Sequence, residues 1–458
     1  MSTTSTHSIP VPEPELTAPE MVERARAMIP VLRERQEETE RSGRMLDETS
    51  RDFVEAGFYR ILQPRRFGGY EFDLPTFTRV AIELSRGCPA DGWTYTLTAG
   101  HAHMLAALWP EEGQIDIYGA DGEVRMPGRL RPGKAREVDG GYMCSGTFDY
   151  VSGCDSATHL VLAFAFGDDV SAGEFATDFI GVVDFDDAEI IDNWDVLGLR
   201  GTGSKRVVVE DVFIPKYRTI DSIFRLDAPP AAGRTVHESA MYREGTIGGL
   251  IFSETASVAI GSAWGVLDLY EESIRKRKTT VLPLIPMTEH AQYPRFFGEA
   301  FQMIDIAECA LLQSDHDYMD WCRRAADGEM EFGFELDRRL QLRKQYCAKL
   351  AYDAVGIMMR TNGSAGMRTG RDVAALRARP DGPHDPQHRA ARARRGLVRP
   401  HALRAAAARG GTRDRAGAAA GAVGVRPRGV LRRFAARAPR GSSRCGCAAL
   451  ASCLVVCG

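Results

Sequence analysis

The sequence predicts an α+β chain built in series: a helical block, a β block, a helical bundle and an irregular basic tail. Three observations carry this. Apolar residues recur every three or four positions from about residue 17 to 110, and again from about 245 to 361. Between those stretches, from about 122 to 215, lie short β-branched runs punctuated by Gly, Asp and Ser. After Gly370 no apolar periodicity remains. At 458 residues the chain is long enough for two or three domains. The boundaries drawn are a polar leader over 1–16, helices over 17–121, an antiparallel β domain over 122–216, a helical bundle over 217–370 and a tail over 371–458.

The leader, MSTTSTHSIPVPEPEL, lacks a basic patch followed by an apolar core, so no secretory signal is expected. In PEMVERARAMIPVLRERQEE, Met21, Ala25, Met28 and Leu32 line one face while Glu and Arg fill the other. LDETSRDFVEAGF and LPTFTRVAIELSRG repeat the pattern, and GWTYTLTAGHAHMLAALW is apolar all round, as a buried helix is. The β block comprises GGYMCSGTFDYVSG, HLVLAFAFG, DFIGVVDF and KRVVVEDVFIP, with the last closing the sheet before Pro215. Three long segments then supply bundle helices: GGLIFSETASVAIGSAWGVLDLYEESIRKRK, PRFFGEAFQMIDIAECALLQSDHDYMDWC and FELDRRLQLRKQYCAKLAYDAVGIMMRTNG. No run of some 18 apolar residues occurs, so no membrane span is expected.

The net charge of −4 conceals a division. From Arg371 onward there are 19 Arg and no Lys against 4 Asp and no Glu, which leaves 39 basic against 58 acidic residues before that point. An acidic body argues against a nucleic-acid surface. Cys88, Cys144, Cys154, Cys309, Cys322 and Cys347 are scattered without C-x-x-C spacing, as expected for reduced thiols of a cytoplasmic protein. The tail admits three readings: a basic interaction segment, a metal site on Cys445, Cys447, Cys453 and Cys457, or a GC-rich coding sequence translated out of frame. Its Arg/Ala/Gly/Pro composition without Lys or Glu favours the third, and no metal site is assigned.

The stretch VLGLRGTGSKRVVVEDVFIP, residues 196–215, is either a phosphate cradle or a tight bend feeding a strand. Gly198, Gly201 and Gly203 match neither G-x-G-x-x-G nor the P-loop spacing, and Lys205 follows the serine, which favours the bend.

Further motifs share a recognisable order: Phe58-Tyr59-Arg60-Ile61-Leu62-Gln63-Pro64, Phe67-Gly68-Gly69, Gly92-Trp93, Gly140-Gly141-Tyr142, Val151-Ser152-Gly153-Cys154-Asp155, the loop Gly198–Ser204, and Asp211-Val212-Phe213-Ile214-Pro215. In that order the chain resembles the acyl-CoA dehydrogenase fold. It resembles more closely the flavin-dependent two-component monooxygenases built on it, such as the oxygenase components of p-hydroxyphenylacetate hydroxylase and of the steroid-degrading phenol hydroxylase. The resemblance covers about residues 17 to 370. It implies reduced FMN from a separate NAD(P)H:flavin reductase, O2 as cosubstrate, a C4a-hydroperoxyflavin, and hydroxylation of an aromatic or natural-product substrate. It also implies a homotetramer, while the acidic body and the lack of a long apolar run lead us to expect neither a nucleic-acid nor a membrane partner. The cofactor carries the hard step, and the protein must exclude water and manage protons.

The same resemblance assigns residues. Ser152 and Gly153 match the segment beside flavin N5, where a hydroxyl donates or accepts a hydrogen bond. Trp93 and His101 match the active-site wall, with His101, or His103 in its place, as base or proton carrier. Thr202 and Ser204 either contact flavin or substrate or stabilise the turn. Arg275 and Arg277 match cations offered to the flavin phosphate of a neighbouring subunit, unless they are a solvated helix end. Gly363 and Ser364, in Asn362-Gly363-Ser364-Ala365-Gly366, match a second phosphate-contacting turn.

Two departures stand out. Arg125–Pro132 replaces a serine run of phenol-hydroxylating relatives. The last helix retains only Arg371-Asp372-Val373 of its pattern, and neither His384 nor His388 inherits the histidine role. Impaired activity of this chain is therefore expected. An acyl-CoA dehydrogenase or oxidase with tight FAD is the alternative, for which the late helices offer no glutamate base by sequence. A non-catalytic, polyanion-binding protein is the third reading.

Overall fold

The computed structural model describes residues 7–167, 177–223 and 230–363. Helix α1 (Ala18–Ser42) starts at a capping box, in which the Thr17 side chain accepts from the Glu20 amide and the Glu20 side chain accepts from the Thr17 amide. It buries Met21, Ala25 and Leu32. Helices α2 (Asp47–Glu55), α3 (Leu74–Gly87), α4 (Pro89–Ala99), α5 (His101–Leu108) and α6 (Glu111–Tyr118) complete the first block. The segment expected as one buried helix is therefore two, broken at Gly100. A Cβ at Gly100 would lie 1.9 Å from Glu254 Oε1, so the chain has room there only for glycine. Tyr95 anchors α4, edge-on to Phe53 at 6.1 Å and to Phe58 at 6.3 Å.

Among the described residues seven strands form one sheet in the order β5-β6-β2-β1-β3-β4-β7: β1 (Gly128–Val138), β2 (Gly141–Val151), β3 (His159–Phe166), β4 (Phe179–Asp184), β5 (Glu189–Ile191), β6 (Lys205–Pro215) and β7 (Thr219–Asp221). The expected antiparallel sheet needs one correction, because β1 and β3 pair in parallel. The β1–β2 hairpin places β2 on one side of β1; the chain then returns to the other side, where β3 must run with β1. The run KRVVVEDVFIP does not close the sheet either. As β6 it lies inside, between β5 and β2, and the later β7 forms the opposite edge on β4.

The remaining helices are α7 (Ala240–Glu244), α8 (Ile247–Lys276), α9 (Gln292–Ala326) and α10 (Phe334–Asn362). By length and composition helix α8 is long and apolar enough to cross a membrane, but 78% of its most apolar 18-residue window is buried within the protein. The six cysteines of the described residues are unpaired, and all except Cys309 are buried. Ser364 and the tail from 371 lie outside the described residues.

Candidate active site

The register of β2 against β6 builds the site. Val151 at the end of β2 faces Lys205 at the start of β6, so Ser152 and Ser204, each one residue outside the ladder, come side by side. Their hydroxyl oxygens are 2.7 Å apart. Ser204 Oγ also lies 2.7 Å from Thr202 Oγ1, which donates to the Leu199 carbonyl at 2.9 Å. From the helical side, the Trp93 indole N–H on α4 donates to Ser152 Oγ at 3.0 Å. Four residues singled out by sequence thus form one continuous hydrogen-bonded chain. The Gly153 amide binds the Thr202 carbonyl at 2.9 Å, and a Cβ there would meet Thr94 Cγ2 at 2.8 Å, so glycine lets this turn close on α4.

Trp93, Leu97 and His101 recur at helical spacing and are only partly buried, whereas almost every neighbour on α4 and α5 is buried. This face is the wall of the site. The His101 Nδ1–H donates to the Met126 carbonyl, which leaves Nε2 as the acceptor of the neutral ring. Burial lowers the His101 pKa, opposed by that hydrogen bond. The segment standing in for the serine run therefore contributes a backbone carbonyl. His103 does not share this place: fully buried, it donates from Nε2 to the Met241 carbonyl at 3.1 Å, and burial pushes it down to about 4. Cys154 is inert, since burial pushes its thiol up to about 12. The neighbouring Asp155 pairs with Lys205 at 2.7 Å.

The Gly198–Ser204 loop is a bend in which the Arg200, Gly201, Thr202 and Gly203 amides are already taken. Leu199 and Gly203 flank the 3-10 turn Arg200–Thr202 with positive φ. The Glu40 carboxylate, from α1, accepts from the Arg200 amide at 3.0 Å and the Gly201 amide at 3.4 Å. Nothing near Glu40 in sequence signals this contact, which spans 160 residues.

Sequence reasoning also missed Glu254 on α8, which is fully buried with no hydrogen-bond partner on either carboxylate oxygen. Burial pushes its carboxyl well above the usual range, so it is neutral. A glutamate inside the apolar run IGGLIFSETASVAIG was the available signal.

The presumed phosphate residues sit elsewhere. Arg277, just beyond α8, donates to Asn362 Oδ1 at 2.8 Å and to the Asn362 carbonyl at 3.1 Å, which joins it to the turn at Gly363. Gly363 has φ +67, and among the described residues nothing lies within 4 Å of where a Cβ would stand. Arg275 is exposed and pairs with Glu271 at 2.6 Å. Glu254 touches Gly100, next to His101, and Arg275 stands 21 residues farther along α8. At 1.5 Å per residue that is about 30 Å. Within one chain the arginines and the hydroxyl chain are separate sets.

The donor set fits the uncharged edge of a flavin ring. It is neutral and nearly dry, with Ser152 at 6% and Ser204 at 5% exposure, and it ends on the Trp93 indole. No family model matches the chain. It is 36% identical over 261 residues to the flavin-dependent monooxygenase oxygenase subunit HsaA of Rhodococcus jostii (strain RHA1), a match covering 56% of this chain and 66% of that protein. It is 28% identical to the pigment production hydroxylase of Rhodococcus sp. (strain ATCC 21145), covering 78% of this chain and 90% of the relative. The crystal structure of 3-HSA hydroxylase from Rhodococcus sp. RHA1 superposes with a TM-score of 0.69 at 28% identity, covering 78% of this chain and 89% of the other. The chain belongs to the flavin-dependent monooxygenases of acyl-CoA dehydrogenase fold, as the oxygenase component of a two-component system.

Proposed function

We propose that this site hydroxylates an aromatic substrate using O2 and reduced FMN, delivered by a separate NAD(P)H-dependent flavin reductase. The observation that carries the reading is the nearly dry Trp93–Ser152–Ser204–Thr202 chain, whose Trp93 shares a helical face with His101. Reduced flavin, when bound, supplies the two electrons that activate O2. The chain's own residues do the rest. Ser152 would face flavin N5, where its hydroxyl oxygen would help hold the proton. His101 Nε2 takes the proton of a substrate hydroxyl, which makes the ring a better nucleophile. Trp93 and Leu97 wall the pocket against water.

Arg275, Arg277 and Gly363 serve a second copy of the chain, in a tetramer whose subunits share flavin-phosphate sites. Their separation of about 30 Å from Gly100, along α8, supports this arrangement. The test supplies a flavin reductase, NADH and a panel of phenols and indoles under 18O2. Because the tail is expected to slow turnover, the readout is product identity: a product heavier by one 18O atom is expected. Flavin oxidation yielding hydrogen peroxide alone with every substrate overturns the reading, and FADH2 in place of FMN decides between the two flavins.

A further inference from the structure

Three hydroxyl protons in this site meet three oxygen–oxygen contacts: Ser152 to Ser204 at 2.7 Å, Ser204 to Thr202 at 2.7 Å, and Thr202 to the Leu199 carbonyl at 2.9 Å. A hydroxyl carries one proton and two lone pairs, and a carbonyl only accepts. The Leu199 carbonyl is further committed as an acceptor, taking the Trp194 indole N–H at 3.2 Å. The last contact must therefore be filled by the Thr202 proton. Thr202 then accepts from Ser204, and Ser204 accepts from Ser152. Only this assignment fills all three contacts. At the other end Ser152 accepts from the Trp93 N–H, which can only donate. The chain has a direction, from indole to carbonyl, and its members are too buried for bulk water to reverse it.

From this direction we infer that Ser204 and Thr202 are positioning residues that lock Ser152 as a hydrogen-bond acceptor towards the cofactor, so that the pocket selects flavin protonated at N5. The inference rests on the flavin reading above. Reduced flavin carries a proton on N5 and can donate it to the remaining Ser152 lone pair. Oxidised flavin offers only a lone pair there, and the proton of Ser152 is already spent on Ser204. A single-component oxygenase would need both forms held; one fed by a reductase gains by taking up the reduced form and releasing the oxidised one.

The experiment measures anaerobic affinities of the full chain for FMNH2 and for FMN, with the N5 resonance of bound 15N-labelled FMN as a second readout. The parent is expected to favour FMNH2, with no hydrogen-bond shift at oxidised N5. Ser204→Ala frees the Ser152 proton, so the preference should fall by several-fold to about tenfold, as expected for one hydrogen bond gained by the oxidised form while the reduced form keeps its own. The oxidised N5 resonance should move upfield as Ser152 begins to donate. Thr202→Val should act in the same direction, because Ser204 can then turn its proton to Ser152. The conservative Thr202→Ser should retain the parent preference. Equal losses of affinity for both forms in Ser204→Ala and Thr202→Val would show a merely structural role and overturn the inference, leaving the flavin reading intact. Absence of binding of either form to the parent overturns the flavin reading and the inference with it.

Discussion

Two buried polar networks in this molecule differ in what they leave unspent. Between α4 and the β2–β6 edge, the hydroxyl chain is neutral, and Ser152 retains a lone pair for something outside the protein. Between α8, α9 and α10, Lys344 and Asp315 form an ion pair at 2.7 Å with both side chains fully buried. The three ammonium protons of Lys344 go to Asp315 Oδ1, Ser253 Oγ at 2.6 Å and the Gly249 carbonyl at 2.8 Å. Ser253 donates in turn to Asp315 Oδ1 at 2.7 Å. The lysine has no valence left to offer a ligand. Burial alone therefore does not mark a functional polar group.

Breaking the ion pair should give the largest effect. Lys344→Ala leaves a buried aspartate without its cation, and a loss of about 3–5 kcal/mol in denaturant unfolding is expected. A loss under 1 kcal/mol would mean that the three helices do not depend on this knot. His101→Asn keeps a polar side chain while removing the base. Product formation with a phenolic substrate should fall about 100-fold with flavin affinity unchanged, measured as coupled product per NADH; an unchanged yield removes His101 from the proton path.

Next in size is a pH effect. Burial pushes the Asp91 carboxyl up to about 7 from an ordinary 3.8. Between those values the folded chain holds a proton that the unfolded chain has lost, so stability is greater at low pH and falls as pH rises towards 7. About 2 kcal/mol should be lost between pH 5 and 7 from this group, and Asp91→Asn should flatten that slope. His103, lowered to about 4, acts oppositely, adding stability as pH rises from about 4 to 6.5. The smallest effect is expected from Glu254→Gln. With the carboxyl already neutral, the amide should change stability by less than about 1 kcal/mol, and a larger loss would show that the group is ionised.

The block order was legible because apolar periodicity reports which face is buried, and α8, α9 and α10 fall where their patterns placed them. The need for glycine at position 100 was not, because Glu254 reaches it from a helix some 150 residues away. The parallel β1–β3 pair was equally invisible, since alternation along a strand carries no record of its neighbour's direction. Within the site, Trp93, Ser152, Thr202 and Ser204 were individually nameable from short motifs, but their joining into one chain depends on the Val151–Lys205 register. The roles of Glu40, the Met126 carbonyl and the Leu199 carbonyl left no local trace: two are main-chain atoms, and the third acts across the whole helical block. Arg277 was visible as a charge, whereas its engagement by Asn362 required two helix ends to meet.

The carboxylate of Glu40 on the Arg200 and Gly201 amides turns the glycine-rich loop into a lock that carries its own key. Any phosphate approaching those amides would have to evict a resident anion and endure its repulsion. A glycine-spaced segment of this kind deceives any search by pattern alone, since the vacancy such a search infers was filled when the chain folded.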